Sequence, residues 1–433
     1  MSRAQVRDAQ SYVANRLREY QIATPGANPA VDEQARAEQY LDEWLGAEAH
    51  RRMAANQHAV SDVEEQEIRR GVVNRLFGLG ELQPLLDDPE IETIFINGHD
   101  RVFVRRCDGS KRTLETPIAD SQEEVMEQIR QLAAREGLGE RRWDPLAPFL
   151  DLTLRDGSRV NAVRDVVRQP TITIRLHRLM SVTLDDLVRM GSLHPADAAL
   201  LEAVILSNQS VLVAGVTGAG KSTMARALAS CIPAQRRIVT IEDTFELHLD
   251  RDDTHPDCVA MQTRRPNVQG HGAISAEDLF RNALRMNPDV LIVGEVRGPA
   301  EALPMLMATA AGGAAGSIST IHAQSAAQAL PQLQTYILMG AERLPFEASA
   351  QIIATALDVV VFIEQRGTRR LVSSIAEIRG VMGDQVTMNV ISSVGADGRH
   401  RMSGAFSQAR RDRLESVGYD TREWATGTEG SYR

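Results

Sequence analysis

The octapeptide GVTGAGKS, residues 215–222, limits the possible folds of this chain more than any other segment. It fits the spacing G-x-x-x-x-G-K-[ST]. It follows the apolar run SVLVA and opens into STMARALAS, which reads as a helix. A glycine-rich turn between a buried strand and a helix curls so that its backbone N–H groups face an anion. The helix N-terminus adds positive potential. In that setting Lys221 can reach the β and γ phosphates of a nucleotide, and the Ser222 hydroxyl can ligate Mg2+. The cradle is expected to comprise Gly215, Thr217, Gly218, Ala219, Gly220, Lys221, Ser222 and Thr223. No Asn-Lys-x-Asp guanine-reading motif accompanies it, which favours ATP over GTP.

Three apolar strands elsewhere stop at ionisable residues. VLIVGEVRG, 290–298, ends in Glu295, with Arg297 two residues on. A carboxylate at the end of a buried strand is costly unless a cation sits opposite it. Beside a phosphate cradle that cation is expected to be Mg2+, shared between Ser222 and Glu295. RIVTIEDTFEL closes on Glu242 and Asp243. Hydrolysis needs an acceptor that orients water at the γ phosphate, and Glu242 is the candidate. GSISTIHAQS, 316–325, carries His322 at the end of a third apolar run. A lone histidine in such a run serves either as a satisfied core residue or as part of the site.

Composition narrows the class. At roughly 100–200 residues per domain, 433 residues make about two to four domains. The formal net charge of -10 and the 4% aromatic content argue against a nucleic-acid track or a generic anionic-membrane binder. Cys107, Cys231 and Cys258 lie far apart, without metal-ligand spacing, and read as reduced thiols. The N-terminal MSRAQVRDAQSYVANRLREY has no apolar signal core, so export is not expected. From Ala302 to Ala341 the only side chain that can carry charge near neutral pH is His322. Pro304, Pro331 and several glutamines make this stretch too polar for lipid, and it reads as buried segments of a globular core.

Along the chain, residues 1–75 read as a helical region, with Ser61 and Glu64 in capping-box spacing. Residues 76–180 alternate like short strands, as in IETIFING and RVFVRR around NGHD. They include one helix with Val125, Ile129 and Leu132 on a single face and Ser121 and Glu124 as its cap. This is a compact α+β domain. Residues 181–195 read as a linker into a helix. In 196–400 strands apolar nearly throughout alternate with helices, the mark of a parallel sheet covered on both faces. Residues 401–433 read as a polar C-terminal tail with a loose end.

Taken in order, GVTGAGKST, TIEDTFEL, TRRPNVQG, LRMNPDVLIVGEVRG and GSISTIHAQS resemble the secretion-ATPase superfamily, the hexameric motors of type II secretion, type IV pili and type IV secretion. They look like its Walker A, Asp box, arginine-bearing loop, Walker B and His box. LGELQPLLDDPEIETIFINGHDRVFVRR and DGSRVNAV look like the N-terminal domain of the tight-adherence pilus branch, the CpaF type. The resemblance covers about 75–390. It implies an α/β chain in which a RecA-like P-loop ATPase domain follows a small α+β, PAS-like domain and a helical N-terminal region. By the same resemblance Glu242 is the catalytic or water-orienting acid, Glu295 the Walker B acid, and His322 a γ-phosphate sensor. Arg159 and Arg175 match N-terminal-domain arginines that reach the phosphates, and Arg264 and Arg297 fall in matching blocks. A cytoplasmic homohexamer at the inner face of the membrane is implied, with an inner-membrane platform protein as partner and only peripheral membrane association. One departure stands out. Many relatives begin the His box Gly-His-(Asp or Glu)-Gly-Ser, where this chain has Ala314 and Ala315, and Gln324 replaces an asparagine. Three rivals stay open: a type IV secretion channel motor, a RecA-like nucleic-acid motor, and an ATP-binding scaffold with weak hydrolysis.

Overall fold

The computed structural model describes residues 3–23, 29–115, 117–136, 143–154, 157–176, 181–251, 253–264, 266, 271–310, 316–367, 369–402, 405–422 and 429–431. The chain divides into two compact units, Met1–Arg178 and Leu179–Arg433.

The first unit opens with helices α1 (Arg3–Ala23), α2 (Pro29–Ala54) and α3 (Asp62–Phe77). They share an apolar cluster that includes Val13, Leu41, Trp44, Ile68 and Val72. Ser61 caps α3 in a complete capping box with Glu64. After the short α4 (Gln83–Asp87) come β1 (Ile91–Asn97), β2 (Arg101–Arg106), β3 (Lys111–Leu114), α5 (Gln122–Glu136), β4 (Phe149–Thr153), β5 (Arg159–Val163) and β6 (Thr171–Arg175). The strands form an antiparallel sheet ordered β3-β2-β1-β6-β5-β4. Its alternate residues, such as Ile94, Val102, Leu150 and Ile174, bury against the Val125, Ile129 and Leu132 face of α5. Ser121 caps α5, but Glu124 reaches back to the backbone N–H of Asp120, one residue before the position the capping box requires.

The second unit contains α6 (Leu184–Arg189), α7 (Pro195–Leu206), β7 (Val211–Gly215), α8 (Lys221–Ala229), β8 (Ile238–Glu242), β9 (Cys258–Gln262), α9 (Ala276–Ala283), β10 (Val290–Val296), α10 (Pro299–Ala310), β11 (Gly316–His322), α11 (Ala326–Leu338) and α12 (Phe346–Ala356). It continues through β12 (Val359–Arg366), β13 (Arg369–Met382), β14 (Gln385–Val394), β15 (Arg399–Met402), α13 (Gln408–Ser416) and β16 (Glu429–Ser431). The sheet order is β16-β15-β14-β13-β12-β7-β11-β10-β8-β9. The half from β12 to β9 is parallel and the half from β13 outward is antiparallel.

Strict alternation explains the layers. Val211 and Val213 face a core with α6, α7 and α8. Leu212 and Ala214 face the opposite core with α9, α10, α11 and α12. A strand buried on both faces needs apolar residues at every position, which is why VLVAG, IVTIE and VLIV are apolar almost throughout. The parallel order, with the glycine-rich loop after the central strand β7, is a RecA-like P-loop arrangement. The apolar stretch 302–341 is divided among α10, β11 and α11. Among the described residues no helix is long and apolar enough to cross a membrane.

Two segments differ from the sequence reading. Within 181–195, Thr183 caps α6 and Leu184, Leu187 and Leu193 enter the core, so most of the expected linker is packed structure. Within 401–433, read only as a polar tail, α13 is docked against the core. Arg410 hydrogen-bonds Gln209 and pairs with Asp358 at 2.8 Å, and the buried Glu377 accepts from the Ser407 N–H at 3.1 Å. Phe406 and Leu414 complete the apolar contact. Polar composition concealed this because an arginine-rich helix can bury a single apolar position and one salt-bridged guanidinium. Leu414→Ala is expected to lower unfolding free energy by about 2–5 kcal/mol in a urea titration. A change within about 0.5 kcal/mol would show that α13 does not belong to the cooperative core.

Candidate functional site

The cradle grows from one close backbone approach. Gly215 ends β7 opposite Ile363 of β12 and His322 of β11. A Cβ on Gly215 would lie 2.4 Å from the Ile363 carbonyl oxygen, so only glycine lets the strand leave the sheet here. Gly218 and Gly220 have φ of 79° and 101°, and Gly220 stands at the N-cap of α8. These left-handed residues turn the chain from strand to helix. Ala219 is buried beneath the turn, and Lys221, Ser222 and Thr223 form the first turn of α8.

Lys221 is 8% exposed, with Nζ 3.4 Å from the Val216 carbonyl and 3.5 Å from Glu295 Oε1. Glu295 is presented by a bulge. Val293 and Val296 of β10 pair with Ser319 and Ile321 of β11, which leaves an extra residue in β10. Arg297 Nε bonds Glu295 Oε2 at 2.6 Å, and its Nη1 bonds Asp243 Oδ2 at 2.7 Å. Thr263 donates to Asp243 Oδ1 at 2.8 Å. Within the protein, then, the cations opposite Glu295 are Lys221 and Arg297. Burial works against the Arg297 charge, but Glu295 and Asp243 outweigh it and raise its guanidinium above the usual value.

Glu242 sits differently. It is 3% exposed, and its Oε2 accepts the backbone N–H groups of Glu246 at 2.8 Å and Leu247 at 3.0 Å. Its Oε1 accepts the Thr240 hydroxyl at 3.1 Å. Gly294 makes room for it, since a Cβ there would lie 3.0 Å from Glu242 Cγ. Burial pushes the Glu242 carboxyl up to about 7, and the three donors pull against that rise. Both oxygens are engaged by β8 and the loop that follows it. Burial also lowers the neighbouring Arg226 to about 10, which leaves it charged at neutral pH.

Sequence reasoning missed Glu246. The Ser222 hydroxyl donates to its Oε2 at 2.8 Å, and Arg226 Nη2 donates to its carbonyl at 2.6 Å. The available signal was three acids within five residues of TIEDTFEL, at the end of a buried strand.

His322 ends β11 with Nδ1 3.3 Å from the Thr217 hydroxyl. The structure therefore gathers Gly215, Thr217, Gly218, Ala219, Gly220, Lys221, Ser222, Glu295, Arg297 and His322 around one loop, with Glu242 behind it. It does not bring Arg264 in: that guanidinium bonds the Gly272 carbonyl of its own loop at 2.7 Å, and its backbone pairs with Ile274. Arg159 and Arg175 belong to the first unit, where they stand directly opposite each other on β5 and β6. Ala314 and Ala315 lie outside the described residues.

A left-handed glycine turn, a buried lysine and a strand-end carboxylate on a RecA-like sheet define a P-loop nucleotide-binding domain. The chain belongs to the type II/IV secretion system protein family, whose model matches residues 82–417. It is 32% identical over 334 residues to a putative conjugal transfer protein of Mycobacterium tuberculosis, covering 75% of this chain and 91% of that protein. It is 32% identical over 328 residues to the type IV secretion system protein PtlH of Bordetella pertussis, covering 69% and 94%. It is also similar to the crystal structure of the VirB11 ATPase from the Brucella suis type IV secretion system. That likeness spans 69% of this chain and 95% of that one, at 26% identity and a TM-score of 0.37.

The raised Glu242 carboxyl makes stability depend on pH. Below the usual value of 4.5, both the folded and unfolded chains hold its proton. Between 4.5 and about 7 the unfolded chain releases the proton first, so stability falls as pH rises. By pH 8 the loss is on the order of 3 kcal/mol. Glu242→Gln carries no such charge and should gain stability relative to wild type by that amount between about pH 5 and pH 8. A difference that stays constant across those pH values in chemical denaturation would rule out a desolvated carboxyl.

Proposed function

We propose that this chain is a Mg-ATP-hydrolysing motor. In this reading it acts as a homohexamer at the cytoplasmic face of the inner membrane and drives a pilus or secretion machine through a membrane platform protein. The observation that carries the reading is the convergence of four strand ends on one loop. β7 supplies the cradle, β10 supplies Glu295 beside Lys221, β11 supplies His322 against Thr217, and β8 supplies the acids behind them.

The donor set suits magnesium, a hard cation that takes oxygen ligands: the Ser222 hydroxyl and the Glu295 carboxylate would hold it. Bound there, it would neutralise charge on the phosphates. Lys221 has Glu295 as its partner at 3.5 Å and would exchange it for phosphate oxygens. Glu295, 28% exposed, suits orientation of the attacking water better than Glu242, whose oxygens are taken up by β8 and its own loop. His322 would report the γ phosphate through Thr217. Arg159 and Arg175 would complete the phosphate contacts, as the family resemblance implies, with Arg297 beside the acids.

For the machine served, the sequence blocks at 79–106 and 156–163 favour a tight-adherence pilus. The likeness to a putative conjugal transfer protein and to PtlH supports a second reading, a type IV secretion channel. Phosphate release from Mg-ATP should rise in specific activity with protein concentration, because ring assembly completes the sites. Lys221→Ala should reduce it at least ~100-fold. Equal release from the Lys221→Ala variant would refute the site assignment, and a specific activity independent of concentration would refute the ring.

A further inference from the structure

Two histidines far apart in the chain meet face to face in the second unit. The rings of His194 and His400 lie 3.7 Å apart between centroids and 6° from parallel. His194 is the N-cap of α7, and its Nδ1 accepts the Ala196 N–H at 3.3 Å. His400 of β15 and Asp197 of α7 are both buried. His400 Nε2 stands 3.0 Å from Asp197 Oδ2 and 2.9 Å from the Ser392 hydroxyl of β14. An ionised carboxylate only accepts, so that nitrogen carries a proton. The cluster ties the start of α7 to the outer antiparallel strands.

The arrangement suits a neutral His194. Its Nδ1 lone pair serves the cap, so a second ring proton has only that atom to bind. Protonation there takes the acceptor away from the Ala196 N–H and sets a charge against the His400 ring. Burial opposes that charge most, His400 adds to the opposition and Asp197 works against it. Together they hold His194 below its usual value of 6.5. The surrounding elements bring charges that are engaged elsewhere. On α6, Asp186 is bonded to Thr183 and Arg189. On β15, Arg399 and Arg401 flank His400 and alternate to the opposite face, where Arg401 pairs with Asp397 at 2.5 Å. β13 meets this segment through its backbone, with the Val372 N–H donating to the Ser192 carbonyl at 2.8 Å. The far end of α7 is tied differently. Asp358 accepts the Ser210 N–H at 2.8 Å and pairs with Arg410 of α13, an ion pair that persists across mildly acidic and neutral pH.

We propose that His194 and His400 form an acid-released latch between β15 and the N-terminus of α7. That helix leads into β7, the strand that carries the cradle. Above the usual histidine value of 6.5 the latch is closed. Below it the undocked chain takes up the His194 proton first, so docking weakens as pH falls toward the lower value of the folded state. The Asp358–Arg410 tie holds over the same range. Acid therefore frees one end of α7 and leaves the other fixed. The competing reading is that the stacked rings are packing alone. In that case local protection near β15 would not follow the protonation of His194.

The test is hydrogen–deuterium exchange of the full-length protein, read by mass spectrometry at about pH 7.5 and about pH 5.5 and corrected for the intrinsic rate of each amide. In the wild type, protection at 195–199 and 399–402 should fall in acid by up to about tenfold, the limit for one proton and an undocked value near 6.5. Protection at 207–211, the far end of α7, should change by less than about twofold. His194→Asn keeps an N-cap acceptor and removes the titrating ring, so its protection at 195–199 and 399–402 should be the same at both pH values. An equal acid loss in His194→Asn overturns the proposal. So does unchanged protection in the wild type, or a loss as large at 207–211, which would mark general acid unfolding. Should His194→Asn fail to fold by circular dichroism, His194→Ser, also a capping residue, carries the same comparison.

Discussion

The site depends on the backbone ladder that sets Gly215 between Ile363 and His322. β7 lies inside the parallel sheet, so both of its edges are occupied and its register is fixed twice. A slip of one residue would turn Val211 and Val213 toward the wrong core, and both cores are closely packed. With register fixed, the last residue of β7 has no space for a side chain, and the chain must turn at that point. The cradle is thus placed by hydrophobic burial well outside it. The glycines then allow the conformation that the sheet imposes.

Charge at the strand ends is sorted by depth. Glu242 and Arg226 are deep, and their hydrogen bonds go to backbone groups of the loop after β8. Glu295, Arg297 and Asp243 lie in ion pairs nearer the surface, and the buried Lys221 joins them through Glu295. Deep groups tied to backbone are expensive to move, because any motion strands a desolvated charge. The outer pairs can exchange partners cheaply, since half-exposed ion pairs contribute little to stability. A rigid inner layer therefore supports an outer layer that is free to rearrange around phosphate.

The sequence revealed the cradle, the strand-end acids and the parallel strands buried on both faces, because each is written in a local pattern with a fixed period or spacing. It was less informative where a residue's role depends on a partner distant in the chain. Glu246 is unremarkable until Ser222, 24 residues earlier, is brought beside it. The same holds for α13, whose Arg410 meets Asp358 and Gln209 only in the fold. Glu242 shows the limit from the other direction. Its place at the end of a buried strand was legible, but whether its oxygens face the cradle or the loop behind it was decided by the backbone of Glu246 and Leu247.

This layering bears on how a motor could be built from such a site. A carboxylate that meets water should be reachable, moderately screened and able to change partners, and Glu295 has those properties beside Lys221 and Arg297. A carboxylate whose oxygens accept two backbone N–H groups and a hydroxyl fixes a loop well and is badly placed to approach a reacting centre. Assigning the fixed role to Glu242 and the mobile role to Glu295 leaves no acid in the block without a task. Asp243 holds Arg297, Glu295 answers Lys221, and Glu242 supports the loop that carries Glu246 to Ser222. Movement at the phosphates would then pass first through Lys221 and Arg297 to the ends of β10 and β8. That is the part of the sheet where the β10 bulge has already loosened the ladder.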